Sequence, residues 1–239
     1  MDKIKKLQEL IDNSNYIVFF GGAGVSTESG IKDFRGKNGL YKEKKYLSKS
    51  PEYMLSNICL FKEPELFFDY YRDNLDCSNI KPNITHYYLT KLEDKKKLKA
   101  IITQNIDGLH QKAGSKNVLE LHGTTAKNYC IKCKKEYPKD YIFNSKGIPK
   151  CDCGGIVRPN VVLYGEMLPE EYNQAIKYIS NADLLIVAGT SLTVQPASGL
   201  VSLFNGKHLV IINDSKTPYD YLAELVINDS LGNIFSKLK

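Results

Sequence analysis

Five short apolar runs divide the chain and predict buried β-strands. Each contains the β-branched or aromatic residues that strands favour. The runs are residues 16–20, 98–102, 118–121, 184–188 and 209–212, with two further candidates at 161–166 and 225–227. Apolar residues at helical spacing precede the first run, at Ile4, Leu7 and Leu10, and recur over residues 169–180. This alternation predicts an α/β protein with a doubly wound parallel sheet.

The first run passes directly into a stretch rich in glycine and small hydroxylated residues. A buried parallel strand that ends in such a loop can bring backbone N–H groups close to a phosphate. The spacing of Gly22, Gly24 and Thr27 lacks the third glycine of the dinucleotide fingerprint, so the glycines alone are weak evidence for a nucleotide. A loop that only cradles phosphate would not need the Asp33-Phe34-Arg35 cluster that follows, so this cluster indicates that the loop takes part in chemistry.

Polar side chains follow the ends of the other predicted strands. They are Gln104, Asn105 and Asp107, then His122, then Thr190 and Ser191, and finally Asn213. Because parallel strands present ligands at their carboxyl ends, we expect these residues in one crevice. Taken singly, His122 is more typical of a structural histidine, and Asp107 with Gly108 is compatible with a simple turn. Together they offer an amide, a carboxylate and a base that titrates near neutral pH.

Four of the six cysteines form two close pairs and predict a metal site. The pairs are Cys130 with Cys133 and Cys151 with Cys153, which resemble the ligands of a zinc ribbon. Four thiolates complete a tetrahedral shell around Zn²⁺ and leave no position for water or substrate. We therefore expect one structural zinc ion per chain, in a module too poor in apolar residues to fold unaided.

Composition and charge narrow the class of protein further. The chain has 239 residues, of which 42% are hydrophobic and 25% charged, as in ordinary globular proteins. Its net charge of +6 comes from scattered lysines, so nucleic-acid binding is disfavoured. No apolar stretch approaches the length of a membrane span, and we expect a cytoplasmic protein without a membrane partner.

Taken together, the motifs resemble those of the sirtuins, the NAD-dependent protein lysine deacylases, of bacterial type. The match covers nearly the whole chain, and the motifs occur in the family's order. They are residues 22–36, 103–110 and 121–123, Arg158-Pro159, Gly165-Glu166, and residues 189–191. The resemblance implies a Rossmann-like sheet with a small zinc-ribbon module and a helical insertion. NAD and an acyl-lysine peptide or protein would meet in the cleft between the two parts.

The resemblance also implies how one catalytic domain is divided. Residues 1–36, 83–126 and 160–239 would form the Rossmann-like NAD-binding part. Residues 37–82 would form a helical and loop insertion, and residues 127–159 the zinc-binding module.

Site residues are carried over from the resemblance position by position. The catalytic residues would be His122, Asn105 and Asp107. NAD, as co-substrate, would contact Gly22, Ala23, Gly24, Thr27, Phe34, Arg35, Gln104, Asn105, Ile106, Asp107, His122, Gly189, Thr190, Ser191, Asn213 and Ser230. The strand that pairs with the substrate backbone would comprise Val161, Val162, Tyr164, Gly165 and Glu166.

The reaction implied is transfer of the acyl group of an N6-acyl-lysine to ADP-ribose, with release of nicotinamide and O-acyl-ADP-ribose. His122 would act as the general base. Sirtuins specialised for acidic acyl groups share a Tyr-x-x-Arg pair, and here those places hold Phe68 and Tyr71, which favours neutral groups such as acetyl. Lys32 stands where the family usually has proline, and it leaves the loop less rigid.

Three alternatives remain open at the level of sequence. The first is a protein mono-ADP-ribosyltransferase built on the same scaffold. An NAD-dependent dehydrogenase would instead move hydride, although the glycine fingerprint is incomplete. A zinc-ribbon module for nucleic acid would need the cysteines and the basic charge but neither Phe34-Arg35 nor His122.

Overall fold

Ten α-helices and nine β-strands lie within residues 2–33 and 49–239, the part of the chain that the computed structural model describes. The strands are β1 (Ile17–Gly21), β2 (Leu98–Thr103), β3 (Val118–Glu120), β4 (Gly123–Cys130), β5 (Glu136–Pro138), β6 (Val157–Val161), β7 (Leu184–Ala188), β8 (His208–Ile212) and β9 (Leu225–Ile227). The helices are α1 (Lys3–Asn13), α2 (Gly24–Thr27), α3 (Pro51–Met54), α4 (Asn57–Lys62), α5 (Pro64–Leu75), α6 (Ile84–Asp94), α7 (Leu109–Ala113), α8 (Asp140–Phe143), α9 (Glu171–Asn181) and α10 (Leu231–Phe235). Two 3-10 helices follow β7 and β8, at Ala197–Leu203 and Asp220–Leu222. None of the described helices combines the length and apolar character that a bilayer crossing requires.

Six parallel strands form the central sheet in the order β3-β2-β1-β7-β8-β9. The two middle strands, β1 and β7, are buried along their whole length, which explains why their sequences are continuous apolar runs without alternation. The strand order runs outward from β1 in one direction and from β7 in the other, as in Rossmann-like sheets. This arrangement confirms the predicted fold class, and it opens a crevice where the order reverses.

Helices cover both faces of this sheet because successive side chains of a strand point in opposite directions. Phe19 packs with residues of α1, α6 and α10, including Leu7 and Leu89. Phe20, the next residue, packs on the opposite face with α9 and the first 3-10 helix, including Ile179 and Leu200. All six side chains are fully buried, and each contributes about 1.5–3 kcal/mol through the hydrophobic effect.

A second, antiparallel sheet has the order β5-β4-β6, and the four clustered cysteines lie at the end of β4 and in the connections between its strands. Its apolar face packs against the insertion helices α3 to α5 in one common core. Met54, Phe67 and Tyr71 come from the helices, while Ile142 and Val157 come from the cysteine-bearing part. The insertion and the zinc module therefore stabilise each other. The division of the chain into regions stays a prediction.

The predicted strand at 161–166 is wrong in its bounds. The strand begins at Val157, ends at Val161 and belongs to the antiparallel sheet rather than the parallel one. The following residues turn, because the Glu166 N–H donates to the Leu163 carbonyl and Gly165 adopts a left-handed conformation with φ +91°. Only an isolated parallel bridge to Ser56 is described in this turn.

The loops that follow β1 and β7 approach each other unusually closely. The Gly24 N–H donates to the Gly189 carbonyl at 2.8 Å, and the Gly22 N–H donates to the Ala188 carbonyl at 3.2 Å. A Cβ atom on Gly24 would lie 2.7 Å from the Gly189 Cα atom, which is too close for any residue but glycine. These glycines thus allow the backbones at two strand ends to come into contact. The sequence analysis did not predict this role.

The close contact predicts a specific stability effect. Gly24→Ala should lower the free energy of unfolding by about 1–3 kcal/mol, because the new methyl group meets backbone atoms that cannot move away independently. Urea unfolding followed by circular dichroism measures the change. Gly199→Ala is the matched control, since its Cβ would meet only the mobile end of Gln195 at 3.3 Å. Equal stability of the two variants would contradict the packing argument.

Candidate active site

A cavity of about 800 Å³ opens at the carboxyl ends of β1 and β7, where the strand order reverses. It is lined by the loops after five of the six parallel strands and by the segment that follows β6. The predicted site residues that line it are Ala23, Gly24, Gln104, Asn105, Ile106, Asp107, His122, Val161, Val162, Tyr164, Gly165, Glu166, Gly189, Thr190, Ser191 and Asn213. The structure therefore brings together residues from six separate stretches of sequence.

The remaining predicted NAD contacts lie elsewhere or outside the described residues. Gly22 is packed against Thr190, and the Thr27 hydroxyl donates to the Gly24 carbonyl at 3.0 Å. Ser230 is the N-cap of α10, where its hydroxyl accepts from the backbone of the helix. Phe34 and Arg35 fall outside the described residues. For these positions the predicted contact with NAD stays a prediction.

His122 follows β3, and its ring is oriented by a backbone carbonyl. Its Nδ1 atom lies 2.9 Å from the Gln104 carbonyl oxygen. Because a carbonyl can only accept, Nδ1 carries the hydrogen and Nε2 is left with its lone pair. Burial lowers the pKa of His122, and the hydrogen bond to Gln104 only partly opposes this. The ring is therefore neutral at physiological pH and suited to accept a proton.

The residue after His122 has to be glycine. Gly123 adopts φ +71°, and a Cβ atom there would lie 2.2 Å from the Asn160 carbonyl oxygen. The close approach lets β4 pair with β6 immediately after the histidine. One consequence is that the Val162 N–H donates to the His122 carbonyl at 2.9 Å, which ties the segment after β6 to the histidine backbone.

Ser26 connects the two polar residues that follow β2. Its hydroxyl donates to Asp107 Oδ2 at 2.7 Å and accepts from Asn105 Nδ2 at 3.1 Å. The Leu109 N–H donates to the other carboxylate oxygen of Asp107 at 2.8 Å. Burial raises the pKa of Asp107, although these two hydrogen bonds act in the opposite direction. The sequence reasoning missed Ser26, whose position within the glycine stretch was the only available signal.

Further contacts hold the cofactor-side loops together. Gln104 Nε2 donates to the Thr190 hydroxyl at 3.2 Å, joining the ends of β2 and β7. Asn213 Nδ2 donates to the Ser215 carbonyl at 2.8 Å beyond β8. The cavity is also lined by Val194, Gln195 and Pro196, and by Ser215 and Lys216, none of which was predicted. These residues lie in loops without a recognisable motif, so sequence pattern offered no signal for them.

The two positions aligned with the acid-specific Tyr-x-x-Arg pair are fully buried. Phe68 and Tyr71 lie in the core that the insertion shares with the zinc module. Burial raises the pKa of the Tyr71 phenol far above its usual range, so it stays neutral. Neither position offers a cation that could pair with a dicarboxylate tail.

The four predicted metal ligands form one cluster. Their sulfur atoms all lie within 4.8 Å of one another, with Cys130 and Cys153 3.5 Å apart and Cys133 and Cys151 also 3.5 Å apart. A Zn–S bond of about 2.3 Å places sulfur atoms about 3.8 Å apart in a tetrahedron, so the cluster fits one structural zinc ion. The narrow spacing of the second cysteine pair does not prevent this geometry.

Fold and site together define a Rossmann-like α/β protein with a nucleotide-sized cavity at its switch point and a four-cysteine zinc module beside it. The model of the Sir2 family matches residues 22–196, more than half of the chain. This chain belongs to the Sir2 family, the sirtuins.

Relatives with assigned activities match along almost their whole length. An NAD-dependent protein deacetylase of Clostridium tetani is 56% identical over 237 residues, covering 98% of this chain and 96% of the relative. An NAD-dependent protein deacetylase of Clostridium perfringens is 56% identical over 240 residues, covering 99% and 98%.

Solved structures show the same fold. A Sir2 variant with deacetylated p53 peptide and 3'-O-acetyl ADP ribose has a TM-score of 0.90 at 40% identity, covering 98% of this chain and 96% of that one. A Sir2 structure with p53 peptide and NAD⁺ has a TM-score of 0.87 at 38% identity, with the same coverage.

Zinc binding should depend on the cysteine cluster and should stabilise the protein. Replacing Cys133 and Cys153 together by serine is expected to reduce zinc from one ion per chain to almost none and to lower the Tm, because metal binding contributes to folding. Metal content by atomic emission and thermal unfolding measure both effects. Cys77→Ser, outside the cluster, should retain the zinc. Purified, folded wild-type protein without zinc would contradict the assignment.

Proposed function

We propose that this chain is an NAD-dependent protein lysine deacetylase in which His122 is the general base. The reaction transfers the acyl group of an N6-acyl-lysine to ADP-ribose and releases nicotinamide and O-acyl-ADP-ribose. The observation that carries the proposal is the placement of a neutral, oriented histidine in the cavity that the nucleotide-side loops share with the segment after β6. The relatives that match along almost their whole length are NAD-dependent protein deacetylases.

NAD would be held where the loops after β1, β2, β7 and β8 meet. The described candidates are Ala23, Gln104, Thr190, Ser191 and Asn213, all of which line the cavity. Because the N–H groups of Gly22 and Gly24 are used within the fold, Ala23 between them is the better candidate for a phosphate contact. When bound, NAD supplies an electrophilic ribose carbon and nicotinamide as the leaving group.

Asn105, Ile106 and Asp107 would surround the nicotinamide end. Ser26 fixes the side chains of Asn105 and Asp107 relative to each other, so neither can turn freely in the cavity. Such a network holds its polar groups in place before the substrate arrives, which lowers the cost of ordering them. His122 would accept the proton of a ribose hydroxyl at Nε2 and hold it while the acyl group is transferred.

The acyl-lysine peptide would pair with the segment after β6. In the part of the chain that the structure describes, the Val162 carbonyl and the Gly165 N–H have no protein hydrogen-bond partner. An extended peptide can satisfy such groups by adding a strand, with the lysine side chain entering the cavity. Neutral acyl groups are favoured, because Ile106, Leu55 and Leu163 line the cavity and an unpaired carboxylate beside them would be costly.

A cytoplasmic location belongs to the same proposal. All six cysteines are free, and four of them form a metal cluster rather than disulfides. This use of cysteine fits a reducing compartment.

Removing the base should abolish deacylation without disturbing the fold. His122→Ala is expected to lower the rate by roughly 2 to 4 orders of magnitude, the usual contribution of general base catalysis. The assay incubates the protein with NAD and an acetyl-lysine peptide and follows nicotinamide and O-acetyl-ADP-ribose. His208→Ala, which alters a surface histidine paired with Glu224, should retain full activity. Undiminished activity of His122→Ala, or formation of NADH by the wild type, would refute the proposal.

The pH dependence follows from the state of His122. The base must be neutral to act, and burial lowers its pKa below the usual 6.5. The acid limb of kcat/KM for the peptide should therefore have its midpoint below pH 6.5, because the free enzyme's base governs this parameter. Steady-state rates between about pH 5 and 8 test this, with a peptide that has no other titrating group in that range. An acid limb centred above pH 6.5 would contradict the neutral, buried base.

A further inference from the structure

A buried ion pair lies at the base of the segment that would bind the peptide. Arg158 Nη1 is 2.5 Å from Glu166 Oε1, and Arg158 Nη2 is 3.0 Å from Glu166 Oε2. The Arg158 side chain is only 7% exposed, and that of Glu166 is 25% exposed. Taking two charges out of water costs free energy, which is recovered only with good geometry and additional hydrogen bonds. The two-pronged contact meets the first of these conditions.

The additional hydrogen bonds are present, and all of them join the ion pair to backbone groups of residues 159–163. Arg158 Nη2 donates to the Val161 carbonyl at 2.7 Å, and Nε donates to the Pro159 carbonyl at 3.2 Å. Glu166 Oε2 accepts from the Leu163 N–H at 2.8 Å. The ion pair and its hydrogen bonds therefore link the two ends of residues 159–166 and fix the orientation of the peptide groups between them.

The segment held in this way lies between the histidine and the insertion. The Val162 N–H is bonded to the His122 carbonyl, and the Tyr164 N–H is bonded to the Leu55 carbonyl at 3.0 Å. These two N–H groups are thus used within the protein, while the Val162 carbonyl and the Gly165 N–H have no partner among residues 2–33 and 49–239. The guanidinium group of Arg158 also lies 5.6 Å from the centre of the Tyr129 ring on β4, which connects the segment to the zinc module.

Resting on the proposed deacetylase function, we propose that Arg158 and Glu166 are positioning residues for the peptide substrate. Their ion pair holds the Val162 carbonyl and the Gly165 N–H at the spacing that an extended peptide needs. Glu166 therefore acts through the backbone of the segment and not by contact with the substrate, since its two carboxylate oxygens are engaged by Arg158 and Leu163. The pair should control peptide affinity while leaving NAD binding and the reacting atoms unaffected.

Charge and planar shape are both required for this role. In Glu166→Gln the side chain keeps its size but loses the charge and one acceptor, so the two-pronged contact cannot form. In Arg158→Lys the charge remains, but an ammonium group lacks the planar fork that reaches a carboxylate and two carbonyls at once. Both variants loosen the segment without inserting bulk.

The experiment compares two substrates on wild-type protein and on Glu166→Gln. One is an acetylated peptide long enough to pair with the segment, and the other is a single blocked acetyl-lysine that cannot pair. We expect the peptide KM to rise roughly tenfold, with kcat and the NAD KM unchanged within about twofold, because loosened positioning affects only binding of the longer backbone. The kcat/KM for the single residue should be the same in both proteins.

Controls separate this role from a general loss of structure. Glu224→Gln removes the same charge from an exposed pair with Lys6 and should leave all these parameters unchanged. If Glu166→Gln yields no folded protein, Arg158→Lys serves for the same comparison. An unchanged peptide KM would overturn the inference, as would equal losses on both substrates. A wild-type protein that releases no nicotinamide would overturn the deacetylase function itself, and the inference with it.

Discussion

The hydrogen bond between the Gly24 N–H and the Gly189 carbonyl marks the point on which the site depends. Two loops leave neighbouring parallel strands there and are held almost in backbone contact, because neither carries a Cβ atom at the point of closest approach. The sheet order reverses between the same two strands, β1 and β7. The cavity lies at this reversal, and both loops form part of its wall. A side chain at either glycine would separate the loops and change the shape of the cavity wall.

Backbone atoms orient much of the chemistry around that cavity. The Gln104 carbonyl selects the tautomer of His122, and the Leu109 N–H holds one oxygen of Asp107. Burial acts on both titratable groups by disfavouring their charged forms, so the pKa of Asp107 is raised and that of His122 is lowered. A neutral histidine is the form that general base catalysis requires. Placement in the fold, more than any neighbouring charge, thus adapts this residue to its proposed role.

The zinc module contributes to the site from a distance. The cysteine cluster holds the end of β4 near the start of β6, and the apolar face of their sheet packs on the insertion helices. Arg158 within β6 then pairs with Glu166 beyond its end, and the Val162 N–H between them donates to the His122 carbonyl. Loss of the metal should therefore affect the proposed peptide-binding segment as well as the stability, although no cysteine of the cluster lines the cavity.

The sequence by itself determined the parallel sheet, the cysteine cluster and about half of the residues that line the cavity. Continuous apolar runs can be buried only within a covered sheet, cysteine spacing limits the possible ligands, and polar residues directly after parallel strands share one edge. Only the tertiary structure decided that Ser26 joins Asn105 to Asp107, that residues 194–196 line the cavity, and that the strand before Glu166 ends at Val161. The same holds for the glycine amides, which bond across the sheet. Each of these features depends on contacts between residues that are distant in sequence, or on a turn that such contacts hold in place. The local pattern of hydrophobic and polar residues therefore cannot predict them.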